Sequence, residues 1–149
     1  MATAWDKFRE LIADDMRKVY SEAVVDHAIN PRNLGSMTDA DGFAKVTASC
    51  GDTMDIWISV KKDIIVGAAF ITDGCSASIA AGSMVTELAK GKNVRQAQRI
   101  KRQNILEALG GLPEEKKHCA LLAANTLKEA VKDYLSFGGD AGKRASKKY

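Results

Sequence analysis

No apolar run in this 149-residue chain approaches the roughly 20 residues that a helix needs to cross a bilayer. Residues 1–20 also lack the uninterrupted apolar stretch of a secretion signal, because Asp6, Lys7, Arg9, Glu10, Asp14, Asp15, Arg17 and Lys18 break it up. A cytoplasmic location is therefore expected. Internal repeats are missing, and no linker divides the chain, so a single domain with one ordinary core is expected. Net charge is scarce as well. The formal +3 resides in residues 136–149, where Lys143, Arg144, Lys147 and Lys148 stand against Asp140. That segment reads as a solvated, flexible basic tail. Between 90 and 106, Lys90, Lys92, Arg95, Arg99, Lys101 and Arg102 occur without an acid. This stretch reads as a solvated helix face in preference to a patch for an acidic partner or nucleic acid. Cysteine is sparse: there are three, an odd number, and no Cys-x-x-Cys pair. In a reducing compartment such thiols point to catalysis or metal binding rather than to a disulfide framework.

What is present divides into strands followed by helices. Trp5, Phe8, Leu11, Ile12 and Met16 recur at helical steps and predict an amphipathic N-terminal helix with charges on its other face. A second helix is expected over 21–29, ending before Asn30-Pro31, since the residue before proline avoids the helical region. Residues 33–42 read as a loop and 43–49 as a strand. Met54, Ile56, Ile58 and Val60 alternate with Asp55, Trp57, Ser59 and Lys61, the period of a half-buried strand. Lys62-Asp63 predicts a tight turn without a glycine, and 64–72 the next strand. Short connections favour an antiparallel meander. Helices are expected over 76–90 (Ser76 capping, Gly91 terminating), 94–100, 103–109 and 114–135, the last with a buried stripe of Ala120, Ala123, Ala124, Leu127, Val131 and Tyr134. The order predicts an α+β domain in which helices pack a three-stranded antiparallel sheet.

Each cysteine falls at the end of an element. Cys50 lies in Ser49-Cys50-Gly51-Asp52 between two predicted strands, Cys75 in Asp73-Gly74-Cys75-Ser76 between strand and helix, and Cys119 follows His118 at the start of the long helix. Such positions can converge at one end of a sheet. Thiolates bind iron and zinc, and the fourth ligand is often imidazole or carboxylate, which His118 and Asp52 supply. A helix N-terminus favours the thiolate at Cys75, with a weaker version of the effect expected at Cys119. Taken singly, each cysteine is more often a small buried hydrophobe than a ligand. Residue by residue, the chemistry is a thiol site of unspecified purpose. His27, beside Asp26, reads as a hydrogen-bonded structural histidine.

Several motifs in order resemble one family over about residues 20–135: Tyr20-Ser21-Glu22-Ala23-Val24-Val25-Asp26-His27, Asn30-Pro31-Arg32-Asn33-Leu34-Gly35, Cys50-Gly51-Asp52, Thr72-Asp73-Gly74-Cys75 with Ser78-Ile79-Ala80, Val85-Thr86-Glu87, Lys90-Gly91-Lys92, Leu112-Pro113, Lys116, His118-Cys119 and Leu122-Ala123. The family is that of the IscU/NifU-type iron–sulfur cluster scaffolds. The resemblance implies a SufE/NifU-like fold. It implies three segments: an extra helical extension over 1–19, a core over 20–135 and the tail over 136–149. It also implies that Cys50, Cys75 and Cys119 hold iron and sulfide with His118, that Asp52 keeps the cluster labile and sometimes binds metal, and that Cys119 accepts persulfide. The cargo would be a transient 2Fe-2S cluster built from Fe2+, with Zn2+ able to take the same site. The partners would be a cysteine desulfurase and recipient apo-proteins.

The chain departs from the family in places. Leu112-Pro113-Glu114-Glu115-Lys116 has one proline and two acids where the best-studied branch has two prolines and a valine, which weighs against an Hsp70-type chaperone. Ser76 follows Cys75 where glycine or alanine is common. No long insertion separates Cys75 from Cys119, which weighs against a zinc-dependent persulfide-accepting sulfurtransferase of the SufU branch, the alternative reading. A scaffold rather than an enzyme is expected.

Overall fold

The computed structural model describes residues 2–136, so the basic tail expected over 136–149 lies outside the described residues except for Ser136, which ends a helix. Helix α1 (Ala4–Met16) starts with a reciprocal cap in which the Asp6 N–H donates to the Thr3 hydroxyl and the Thr3 N–H to the Asp6 carboxylate. Helix α2 (Glu22–Ile29) is capped by Ser21. Strands β1 (Gly42–Thr47), β2 (Thr53–Lys61) and β3 (Ile64–Thr72) follow, then α3 (Ser76–Ala89), α4 (Val94–Gln98), α5 (Arg102–Ala108), a 3-10 turn (Glu114–Lys116) and α6 (Lys117–Ser136). The strands pair antiparallel in the order β1-β2-β3, the α+β arrangement expected. No helix among the described residues is long and apolar enough to cross a membrane.

The β2–β3 turn needs no glycine. Lys62 and Asp63 both take left-handed backbone angles, φ 51° and 62°, the conformation that matches strand twist in a two-residue hairpin. Asp63 is held there by the Tyr134 hydroxyl, 3.2 Å from its carboxylate, and its carbonyl accepts the Val94 N–H. One sheet face carries Met54, Ile56, Ile58 and Phe70, all fully buried beneath α3 and α6. The predicted stripe of α6 is buried throughout. The other face departs from the expected half-buried strand: Trp57 is only 4% exposed, because Met37 and Ala40 of the preceding loop and the Phe43 ring cover it.

Helix α3 packs directly on the sheet. Its inward residues are small, and at Gly82 an added Cβ would stand 2.4 Å from the Phe70 ring. The Asn30–Gly35 segment straps α3 from outside. The Ser83 hydroxyl accepts the Arg32 N–H and meets His27 Nδ1 at 2.7 Å, which gives His27 the hydrogen-bonded setting expected of it. The Asn33 amide donates to Thr86 and Glu87, while Asn33 and Gly35 bond the backbone of Phe70.

Helix α1 forms where predicted but faces the other way from a core helix. Its charged side, with Asp6, Arg9, Glu10 and Arg17, lines the cleft against α2, and Ala13 is its one buried residue. Trp5, Phe8 and Leu11 are more than half exposed, and Ile12 is 40% exposed. Arg17 bridges to Glu10, Asp14 and Glu22, and Arg9 donates to Asn30, so polar contacts hold the helix.

The α3–sheet contact has a testable consequence. Gly82→Ala should destabilise the protein by about 1–3 kcal/mol, because the Phe70 ring has nowhere to retreat. An unchanged midpoint in chemical denaturation would contradict this packing.

Candidate functional site

Sheet topology collects three chain segments at one end. The β1–β2 connection, the end of β3 and the start of α3 are neighbours because Met54 pairs with Thr72 and Thr47 with Thr53. The Asp73 carboxylate accepts the Thr53 N–H at 2.8 Å and the Thr72 hydroxyl donates to the Thr53 carbonyl, fastening the two loops together. Gly51, at φ +96°, closes the turn that carries Cys50. Helix α6 runs along α3 and the sheet, so its first turn arrives at the same end.

Cys50, Asp52 and His118 each present a ligand atom, all within 4.8 Å of one another. Cys119 Sγ lies 3.7 Å from His118 Nε2, and the Cys75 and Cys119 thiols are near enough for each to affect the other's titration. All five candidates thus share one corner, none on the opposite face. Cys50 and Cys75 are exposed, contrary to what small core hydrophobes require, whereas Cys119 is fully buried. The Asp52 carboxylate is turned towards the Ser78 hydroxyl, 3.5 Å away.

Three further residues belong to this corner, and sequence reasoning assigned them no part in it. The Ser78 hydroxyl is 3.3 Å from Cys119 Sγ. Lys116 Nζ is 3.6 Å from Cys75 Sγ. Tyr20 stands close enough for both thiols to affect its titration. Spacing signals any of these poorly: Ser78 is one of several serines and alanines in α3, and Lys116 one of a run of charged residues.

A sequence profile of the NifU-like N terminal domain matches residues 19–139. The chain belongs to this family. The iron–sulfur cluster assembly scaffold protein IscU 1 of Archaeoglobus fulgidus is 48% identical over 126 residues, covering 84% of this chain and 82% of that one. The scaffold protein IscU of Escherichia coli is 47% identical over 122 residues, 78% of this chain and 94% of its own. The N-terminal NifU-like protein of Brucella abortus shares the fold at TM-score 0.63 and 16% identity, over 81% of this chain and 97% of that one. Helix α1 precedes the stretch that the family profile matches.

The thiols of this family member differ in their electrostatics. Cys75, not Ser76, is the residue that caps α3: its backbone is extended, and its carbonyl accepts the first helical N–H, from Ile79. Burial pushes the Cys75 thiol up, but the N–H groups of Ser78 and Ala77, the Lys116 ammonium and Cys119 outweigh it, and the net shift is downward. Lys116 is raised in return, chiefly by Cys75. At Cys119 the expected helix-terminus benefit is overturned. Burial dominates and lifts its thiol to about 11, although the Ser78 hydrogen bond pulls the other way.

At neutral pH, then, iodoacetamide should modify Cys75 well before Cys119 in the metal-free protein, since thiolate is the reacting form. Lys116→Gln removes a charge that favours the thiolate, so Cys75 should alkylate more slowly. Peptide mass mapping over time reads both; equal rates at Cys75 and Cys119 would refute the assignment.

Proposed function

We propose that this chain is an iron–sulfur cluster assembly scaffold, in which Cys50, Cys75, Cys119 and His118 hold iron and sulfide and Asp52 keeps the assembly labile. The observation that carries the reading is the convergence of these donors at one open corner, in a chain about half identical to proteins named as such scaffolds. Thiolate and imidazole donors with a carboxylate suit iron–sulfur chemistry, and they suit zinc equally. The cargo is a 2Fe-2S cluster assembled from Fe2+ and sulfur. Sulfur arrives from a cysteine desulfurase: the Cys119 thiolate attacks the terminal sulfur of the donor's persulfide, forming Cys119–S–S⁻, and the donor cysteine leaves as thiolate. Recipient apo-proteins then take the cluster. The protein is a carrier in this scheme and no separate catalytic centre is invoked. The Glu114–Lys116 turn brings Lys116 to Cys75, and its two acids weigh against recognition by an Hsp70-type chaperone.

Anaerobic incubation with ferrous iron, cysteine and a cysteine desulfurase should develop the visible absorption of a 2Fe-2S cluster. Cys50→Ser, Cys75→Ser and Cys119→Ser should each lose most of it. A wild-type protein that stays colourless would refute the reading. Metal bound by three separated segments binds the folded state alone, so at 100 times its dissociation constant it should add about 2.7 kcal/mol of stability; thermal midpoints with and without chelator measure it.

Asp52 offers a sharper test. Carboxylate is a harder and weaker partner than thiolate for iron in clusters, so the corner it occupies is the easiest to open. Asp52→Ala should hold its cluster longer and transfer it more slowly to an apo-ferredoxin. A shorter-lived cluster in the variant, followed by the decay of visible absorbance, would exclude the release role.

A further inference from the structure

Four polar residues are fully buried among the described residues: Ser78, Ser83, Thr86 and Thr126. Three have structural employment. Thr86 and Thr126 return their hydroxyls to carbonyls one turn back, Gly82 and Leu122, the usual habit of hydroxyls inside helices. Ser83 ties His27 and Arg32 to α3. Ser78 differs. It sits in the first turn of α3, yet its hydroxyl points out of the helix at the thiol corner, 3.3 Å from Cys119 Sγ and 3.5 Å from Asp52 Oδ2. The pocket around it is kept open by a glycine: a Cβ on Gly74 would lie 2.5 Å from the Ser78 oxygen and 3.0 Å from Asp52 Oδ2.

A hydroxyl has one proton, and both neighbours are acceptors when ionised. Cys119 is buried, so protein groups rather than bulk solvent must satisfy a negative sulfur there. Hydrogen bonds to sulfur ligands withdraw electron density from the metal–sulfur bond, and they are one of the levers that set cluster reduction potential.

We infer that Ser78 is a positioning residue of the metal corner: its buried hydroxyl donates to the Cys119 sulfur when that sulfur is a bound anion, and to Asp52 when it is not. The inference rests on the scaffold reading for the identity of the cargo, but not for the hydrogen bond itself. While the proton serves Cys119, Asp52 loses this donor. Loading of the thiol and freedom of the carboxylate are thereby linked through one side chain.

The test compares wild type, Ser78→Ala, Ser78→Thr and Ser78→Val. Thr and Val have the same shape and differ in the hydroxyl, so they separate the hydrogen bond from packing even if the alanine variant folds poorly. Reconstituted wild type and Ser78→Thr should share iron–sulfur stretching frequencies in resonance Raman spectra, with a small shift in D2O. In Ser78→Ala and Ser78→Val the stretch that involves Cys119 should rise, the D2O shift should vanish, and the reduction potential should become more negative. Loading with Co2+ alone gives a readout that does not depend on cluster assembly: the thiolate-to-metal charge-transfer band should move to lower energy when the hydroxyl is lost. A colourless wild type after reconstitution defeats the scaffold reading and leaves the Co2+ comparison to decide on Ser78. Thr and Val variants with matching Co2+ bands, or matching potentials, overturn the inference.

Discussion

The distance between α3 and the sheet is set where the Phe70 ring lies against the bare backbone of Gly82, and the thiol corner inherits its dimensions from that contact. Small inward residues along α3 let it approach closely, and the Asn30–Gly35 strap bonds both Ser83 and the Phe70 backbone, pinning helix and strand together. Interiors pack at near-crystalline density, so such a position does not drift. At the N-terminal end of the same helix, Cys75 and Ser78 are delivered to the loops of the sheet and to the first turn of α6. A site whose donors come from three segments is only as well formed as the packing that aligns them.

The three thiols then acquire different chemistry from one fold. Cys50 rides an exposed turn. Cys75 is exposed but sits where helix N–H groups and Lys116 favour its anion. Cys119 is enclosed, and burial works against its anion unless a donor or metal compensates. Under the scaffold reading the exposed thiols line the open side where iron enters, while Cys119, the sulfur acceptor, is enclosed and relies on the Ser78 hydroxyl to support its thiolate.

Helix α1 follows a different logic from the rest. Its polar links to the α2 segment are the exposed Arg17–Glu22 ion pair, of a kind that contributes little in water, and the Arg9–Asn30 hydrogen bond. Its apolar stripe, with the Trp5 and Phe8 rings 5.8 Å apart, is directed away from the core. Amphipathic periodicity identifies a helix with two faces, but which face is turned inward depends on what the neighbouring helix presents. Here α2 and its cap present Glu22, Asp26 and Asn30 beside Ala23, Val25 and Ile29, a mixed face that the charged side of α1 meets.

Much was legible in the chain by itself. Period-2 alternation from Met54 to Val60, the turn at Lys62-Asp63 and the apolar stripe of α6 are local properties, and local sterics and burial pattern determine them. The motif order around Cys50, Cys75 and His118-Cys119 was enough to mark the corner. Tertiary structure alone decided the rest. Burial of Trp57 on the nominally polar face depends on a loop that folds back over it. The titration of Cys119 depends on how completely α3 and the sheet enclose it, which reverses the effect expected from its place near a helix start. Ser78 and Lys116 owe their roles to distances across 41 residues of chain. Spacing along a chain sets which face of an element a residue occupies; it carries no information on what another element, packed against that face, will bring within hydrogen-bonding reach.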